Sequence, residues 1–353
     1  MFGNASSRQH KHGVQADKAI EHARQQVATS LECSPKDLIF TSGATEANNL
    51  AIKGIVYGGD GGGRHLITSM AEHKSVLDTF KHLEQNGFAV TYLRPDAHGR
   101  FTIEQVRRAL KPETILVSLM HVNNETGTVE DVGGIATMLA EQDVLFHVDA
   151  TQGVGKLPIN LSTSPISLLS LSAHKFYGPK GIGCLFIKNR SKTKLAPLFH
   201  GGDQEHGLRP GTYATHQIVG LGEAIELADE LRDHAYEEAV HLRQQFLAVV
   251  KQLDGLCLNG DQDNMLPNII NLSFAGVDSE TLLTTLRNEI SFASGSACTS
   301  GALGVSHVLQ SMGVAQDVAY GAIRISFGRY TTADEIQFAA ESICDEVKRI
   351  RGS

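Results

Sequence analysis

Short apolar runs alternate with helix-length amphipathic stretches along the first half of the chain, and this alternation restricts the fold more than any other feature. LIF (38–40) runs straight into the small-residue loop TSGATEANN and a helical pattern, and HLIT precedes a helix over about 74–86. FAVTYL, a helix around 103–110, TILVSLM, a helix around 132–141 and VLFHVDAT follow. Strands separated by helices pair in parallel, so a mostly parallel α/β sheet with helices on both faces is expected. Ligands of such sheets gather at the carboxyl ends of the strands. The loops TSGATE, AEHK, HVNNETG and VDATQ all occupy that position.

An amphipathic helix over 15–31 precedes this series, and two further strands, ISLLSLS and GCLFIKN, bracket AHKFYGPKGI. The long polar-faced helix over 217–253 holds the expected boundary between a large domain, 1–235, and a smaller α+β domain, 236–353. In the latter, NIINLSF, a helix over 279–288, ISFAS, a helix near 306–312, AIRISFG and a last helix over 333–351 alternate. A chain of 353 residues with 41% hydrophobic content can fill two cores. GGDGGG (58–63) lacks the strand-to-helix setting of a dinucleotide loop and reads as a surface loop, so nicotinamide binding has no support.

The net charge of −8 supplies no basic field, so no direct nucleic-acid binding is expected. Five cysteines, odd in number, scattered and without a CxxC pair, exclude a disulfide framework and a structural zinc site, and no metal is expected. No apolar run reaches about 18 residues and MFGNASSRQHKHG lacks the apolar stretch of a secretion signal. A cytoplasmic protein without a membrane span is therefore expected.

Several residues at the strand ends suit a pyridoxal 5'-phosphate (PLP) site, which needs a lysine, an acid for the pyridine nitrogen, a group over the ring and donors for the phosphate. Lys175 in SAHK follows the strand LLSLS, where an amine reaches a central cofactor or simply meets solvent. Asp149 ends the apolar strand VLFHVD, and a carboxylate there is costly unless it meets a positive partner such as a pyridinium. Gln152 can donate to a phenolate oxygen or serve as a plain turn residue. Thr41 to Thr45 offers a phosphate the start of a helix, which Ser42 or Thr45 could equally cap. His73 in AEHKS can stack on a ring and move protons, or only begin a helix.

Cys298 lies in SFASGSACTSG, too rich in Gly, Ser and Ala to pack as core, so an exposed nucleophilic thiol on a mobile loop is expected. Cys33, Cys184, Cys257 and Cys344 lie in or beside predicted elements and read as buried. Arg324 is a lone cation in the apolar strand AIRISFG. It suits the carboxylate of an amino-acid substrate or an internal salt bridge.

With these residues in hand, the chain closely resembles the NifS/IscS type of cysteine desulfurase within the fold-type I PLP enzymes. The resemblance rests on FGNASSRQH, FTSGATEANNLAIKG, EHKSVLDT, MHVNNETG, HVDATQGVGKLPI, SAHKFYGPKGIG, RPGTYATHQIVG, LPNIINLSF, SGSACTSG and IRISFGRYTT, in the family's order. It implies a large domain with a seven-stranded, mostly parallel sheet flanked by helices, and a small C-terminal domain carrying the cysteine loop. Lys175 would carry the cofactor, Asp149 pair with the pyridine nitrogen, Gln152 meet the phenolate oxygen and His73 stack on the ring. Thr45, Ser172 and His174 would hold the phosphate. Thr212, in RPGT, would reach the phosphate of a second subunit, so a homodimer is implied. Asn124 and Arg324 would contact the substrate carboxylate, and Cys298 would take the sulfur of L-cysteine as a persulfide, leaving L-alanine.

The resemblance also implies a sulfur-acceptor protein, whether a scaffold of iron-sulfur cluster assembly, a tRNA-thiolating enzyme or a DNA phosphorothioation system. Two departures accompany it. An AATTP-like arm before Met1 is not found, which bears on activity and dimer stability, and the chain ends at Ser353 without the tail with which housekeeping desulfurases dock their scaffold. The alternatives are a selenocysteine lyase or aminotransferase of the same fold, which needs no persulfide on Cys298, and a catalytically silent PLP-fold platform.

Overall fold

In the computed structural model, which describes residues 3–59, 63–294 and 305–352, the apolar runs of the first half become one seven-stranded sheet. Its strands are β1 (Leu38–Thr41), β2 (His65–Ser69), β3 (Ala89–Leu93), β4 (Thr114–Met120), β5 (Leu145–Asp149), β6 (Leu168–Ser172) and β7 (Gly183–Ile187). They lie in the order β1-β7-β6-β5-β4-β2-β3. Pairing is parallel from β3 to β6, and β7 runs antiparallel to both β6 and β1. The mostly parallel sheet expected from the alternation is thus present.

The helices of this part are α1 (Lys11–Ser30), α2 (Ala44–Gly58), α3 (Lys74–Gln85), α4 (Ile103–Ala109) and α5 (Val132–Ala140). In α3, Val76, Thr79, Phe80 and Leu83 are buried at helical spacing while Lys81 and Glu84 face water. Val76, Phe80 and Leu83 join Leu50 and Ile52 of α2 in a core with Leu66, Leu116, Leu168 and Leu185 of four strands. That core holds the first turns of α2 and α3 at the strand ends, where the loops TSGATE and AEHK begin.

The chain forms two compact units. One comprises Met1–Leu93, Thr102–His121 and Asp131–Arg232, the other Arg94–Phe101, Val122–Glu130 and Asp233–Ser353. The 36-residue helix α6 (Thr215–Val250) belongs to both. The second unit has the antiparallel strands β8 (Leu256–Asn259), β9 (Ile269–Phe274), β10 (Ala293–Ser294) and β11 (Ala322–Ser326), in the order β10-β11-β9-β8. Its further helices are α7 (Ser279–Leu286), α8 (His307–Ser311), α9 (Gln316–Tyr320) and α10 (Ala333–Arg351). Phe246, Leu272, Ile323, Ile336, Ile343 and Val347 form its core.

Candidate active site

Asp149 is the last residue of β5 and is 5% exposed. Its Oδ2 accepts from Asn48 Nδ2 at 2.7 Å, and its Oδ1 accepts from the Thr151 backbone N–H at 3.0 Å and from the Thr151 hydroxyl. Among the described residues no cation pairs with it. The nearby His147 stays neutral, its imidazole held far below the usual range, to about 4, by burial in the sheet, which the charge of Asp149 opposes only in part. A buried carboxylate fixed by three neutral donors is the group a pyridinium nitrogen needs opposite it.

One strand over, β6 ends at Ser172, and Lys175 follows in the single 3-10 turn Ala173–Phe176. The turn closes through Tyr177 at φ 70°, a left-handed conformation that non-glycine residues rarely adopt. Lys175 is half-buried and His174 is exposed. His174 is held below the ordinary imidazole range, first by desolvation where its ring meets the protein and then by Lys175, Lys180 and Lys156. Three amines thus act on the imidazole beside Ser172, a field that favours an anion.

The start of α2 supplies the rest of an anion cradle. Its N-cap is Gly43, which brings no side chain to the first turn, so neither Ser42 nor Thr45 caps the helix. The Ser42 N–H is taken instead by Glu46 Oε2 at 2.7 Å, and Thr45 lies exposed on the first turn. Gly43 has φ 148°, and its absent Cβ would sit 3.6 Å from Ser172 Oγ, which places that hydroxyl beside the helix start. Ser172 Oγ also meets His174 Nδ1 at 2.9 Å. A Cβ on Gly183 would fall 2.7 Å from Gly43 Cα, so glycine there lets the loop lie against β7. Uncapped N–H groups at a positive helix end, a hydroxyl and an imidazole fit a phosphate monoester.

Gln152, three residues past Asp149, is oriented by a residue that sequence reasoning missed. Lys156 Nζ donates to both the Gln152 backbone oxygen and Oε1, each at 3.1 Å. With Oε1 engaged, the amide presents Nε2 as a donor, the polarity a phenolate oxygen requires. Lys156 is pushed down to about 8, by desolvation first and by Lys175 second. His73 is the N-cap of α3, its Nδ1 accepting from the Ser75 N–H at 3.1 Å. It therefore begins a helix while also standing at a strand end. Together these groups fit PLP.

In the second unit, Arg324 lies in β11 opposite Asn271 of β9, and its Nη1 donates to the Asn124 backbone oxygen at 3.1 Å. Its buried Nε has no hydrogen-bond partner, and no carboxylate pairs with the guanidinium among the described residues, so the internal salt bridge is not formed. Thr212 is exposed in the first unit. Cys298 and its loop lie outside the described residues, as do 60–62 of GGDGGG. Cys184 and Cys344 are buried as expected, but Cys257 is exposed and Cys33 only half-buried. Cys257 sits on β8, a short edge strand with one buried position, which explains the difference. Burial pushes Cys33 up to about 12 and Cys184 higher still, so neither is a thiolate near neutrality.

Residues 1–338 match the family model described as Aminotransferase class-V. "Cysteine desulfurase IscS" of Aeromonas salmonicida is 46% identical over 351 residues, 99% of this chain and 87% of that protein. Among solved structures, a NifS-like protein aligns with TM-score 0.92 and 35% identity, over 99% of this chain and 92% of its own. A structure described as SspA in complex with cysteine aligns with TM-score 0.82 and 39% identity, over 94% and 92%.

Proposed function

The chain belongs to the class-V aminotransferase family, and from that premise we propose how its residues perform the reaction of a PLP-dependent cysteine desulfurase, the conversion of L-cysteine to L-alanine with the sulfur passed to an acceptor. The observation that carries this reading is the buried Asp149 carboxylate, held by Asn48 and Thr151 without a cation among the described residues, one strand from Lys175. PLP, when bound, supplies an electron sink for the bonds at the substrate's Cα.

Each residue then has a task. Asp149 would keep the pyridine nitrogen protonated, Gln152 Nε2 would donate to the phenolate oxygen and His73 would stack on the ring. Thr45, Ser172, His174 and the first turn of α2 would take the phosphate, and Thr212 would complete the phosphate site of the second copy in a homodimer. Asn124 and Arg324 would hold the substrate carboxylate. Lys175 would hold the cofactor and, when its amine is free, move the substrate's Cα proton. The Cys298 thiolate attacks the substrate sulfur: an S–S bond forms, the Cβ–S bond breaks, and its electron pair returns to carbon, which a proton converts to the methyl of alanine. A persulfide remains on Cys298.

In this reading, 1–235 form the cofactor domain and 236–353 carry the cysteine loop. No helix among the described residues is long and apolar enough to cross a membrane. The cytoplasm suits a chain that uses a reduced thiol. The acceptor is a protein of iron-sulfur cluster assembly, tRNA thiolation or DNA phosphorothioation.

Absorbance spectroscopy with L-cysteine, with alanine and sulfide assayed in the same tube, tests the reading. The expected outcome is a visible cofactor band that shifts on addition of substrate in both the wild type and Cys298→Ser, with alanine and sulfide formed only by the wild type. Absence of the band overturns the cofactor assignment. Undiminished alanine from Cys298→Ser overturns the persulfide step and leaves a lyase or aminotransferase of the same fold.

A further inference from the structure

A chain of hydrogen bonds joins the two residues assigned to the cofactor ring. Asn48, on α2, is 0% exposed, and both N–H groups of its amide are engaged. Nδ2 donates to Asp149 Oδ2 at 2.7 Å and to Ser75 Oγ at 2.9 Å. His73 Nδ1 already accepts the Ser75 backbone N–H and so has no proton to give, and the Ser75 hydroxyl, 2.9 Å away, donates to it while accepting from Asn48. A ring nitrogen that accepts two hydrogen bonds bears no proton, so neutral His73 carries its proton on Nε2.

The direction of the chain follows from its far end. Turning the Asn48 amide would set Oδ1 against the Asp149 carboxylate oxygen, two acceptors facing each other. The observed orientation leaves Oδ1 without a hydrogen-bond partner among the described residues, so the fold accepts one unsatisfied oxygen to keep both donors in place. Asp149 therefore sets the amide, the amide sets the Ser75 hydroxyl, and the hydroxyl holds the turn of the His73 ring, while the Ser75 backbone N–H keeps Nδ1 bare.

We propose that Asn48 is a positioning residue that ties the ring setting of His73 to the Asp149 carboxylate through Ser75 Oγ. This deepens the desulfurase reading and rests on it for the cofactor that the pair serves; the coupling itself is a property of the protein alone. Nε2 becomes the one atom through which His73 exchanges protons, and its angle is fixed from the acid at the opposite side of the site.

Nitrogen-15 NMR of the histidine-labelled protein without cofactor reads the tautomer directly. The wild type shows His73 as the Nε2–H form alone. Ser75→Ala and Asn48→Ala each keep the Nε2–H form, which the backbone N–H of position 75 secures, but move the His73 Nδ1 signal toward that of a less strongly hydrogen-bonded nitrogen, and the double variant goes no further than either single one, as a shared chain demands. Circular dichroism checks each fold, and Asn48→Leu, of nearly the same shape without the amide donors, replaces Asn48→Ala if the latter does not fold. PLP affinity is measured alongside. Weaker binding by the Asn48 variant with an unchanged His73 Nδ1 signal would mean that Asn48 serves Asp149 only and would overturn the proposal, as would effects that add in the double variant. Failure of every variant and the wild type to take up PLP counts against the desulfurase reading and leaves the Nδ1 result standing.

Discussion

At the scale of single residues, the site depends on side chains that touch the principal groups from behind. Lys156 Nζ, by holding Gln152 Oε1, fixes the turn of the amide and so the direction in which Nε2 donates. Replacing Lys156 by Met keeps the length and apolar stem but frees the amide to turn. The expected result is a fall in kcat on the order of 10-fold, about the loss of one hydrogen bond's orientation, with a displaced cofactor band. Steady-state kinetics and an absorbance spectrum measure both, and an unchanged Lys156→Met enzyme would show that Gln152 is held by other means. Lys175, Asp149, Gln152 and His73 were legible as candidates because each stands at or just past a predicted strand end, whereas Ser172 and His174 were named only through the family resemblance. Asn48, Ser75 and Lys156 could not be read at all: Asn48 lies one turn inside α2, Ser75 in the first turn of α3 and Lys156 in the turns after β5, where a polar residue looks like any solvated position until its partners are in place. Their only signal was membership of the motifs around Thr45, His73 and Asp149.

At the scale of elements, hydrophobic period decided what could be read. The buried strands β4, β5, β6 and β7 and the helices α3 and α10 appear close to where the apolar spacing puts them, because long periodic segments have one face to bury. Strand β8 and helix α9 were missed, being four and five residues long with too few apolar positions to establish a period. ISFAS forms a strand only at Ala293–Ser294. One cross-strand device is invisible to any pattern: His147 of β5 joins Ser118 of β4 at 2.8 Å through Nδ1 and Ser170 of β6 at 2.9 Å through Nε2, fully buried. It bridges β4 to β5 and β6, the two strands that end at Asp149 and Ser172. His147→Leu leaves two buried hydroxyls unpaired and should cost about 1–3 kcal/mol in urea unfolding at pH 7.5. The folded imidazole is depressed to about 4, so the stability it lends is present above its ordinary value of 6.5 and is lost as pH falls through that window. The difference between wild type and His147→Leu therefore narrows from pH 6.5 toward 4, and a gap independent of pH would mean that the imidazole is not buried neutral.

At the scale of the whole molecule, stability against pH is set by how many protons each folded unit holds that the unfolded chain does not. Ordinary carboxylates are ionised in both states near neutrality and give no slope there, but one carboxylate is anomalous. Glu130, in the second unit and 5% exposed, is raised to about 8. Burial is the main cause and Asp96 and Asp261 add to it, while the Phe101 N–H, donating at 3.2 Å, and Arg100 oppose it only in part. An acid raised in the fold binds its proton more tightly there than in the unfolded chain. Its contribution is complete below the ordinary value of 4.5 and is lost as pH rises through about 8. Glu130→Gln keeps the shape and removes the titration. Relative to wild type, the variant should therefore gain stability steadily from pH 5 to pH 9, by on the order of a few kcal/mol at the upper end. Urea midpoints at pH 5, 7 and 9 measure it. A constant difference across that range would mean that Glu130 is ionised in the fold, with Arg100 able to offset its burial after all.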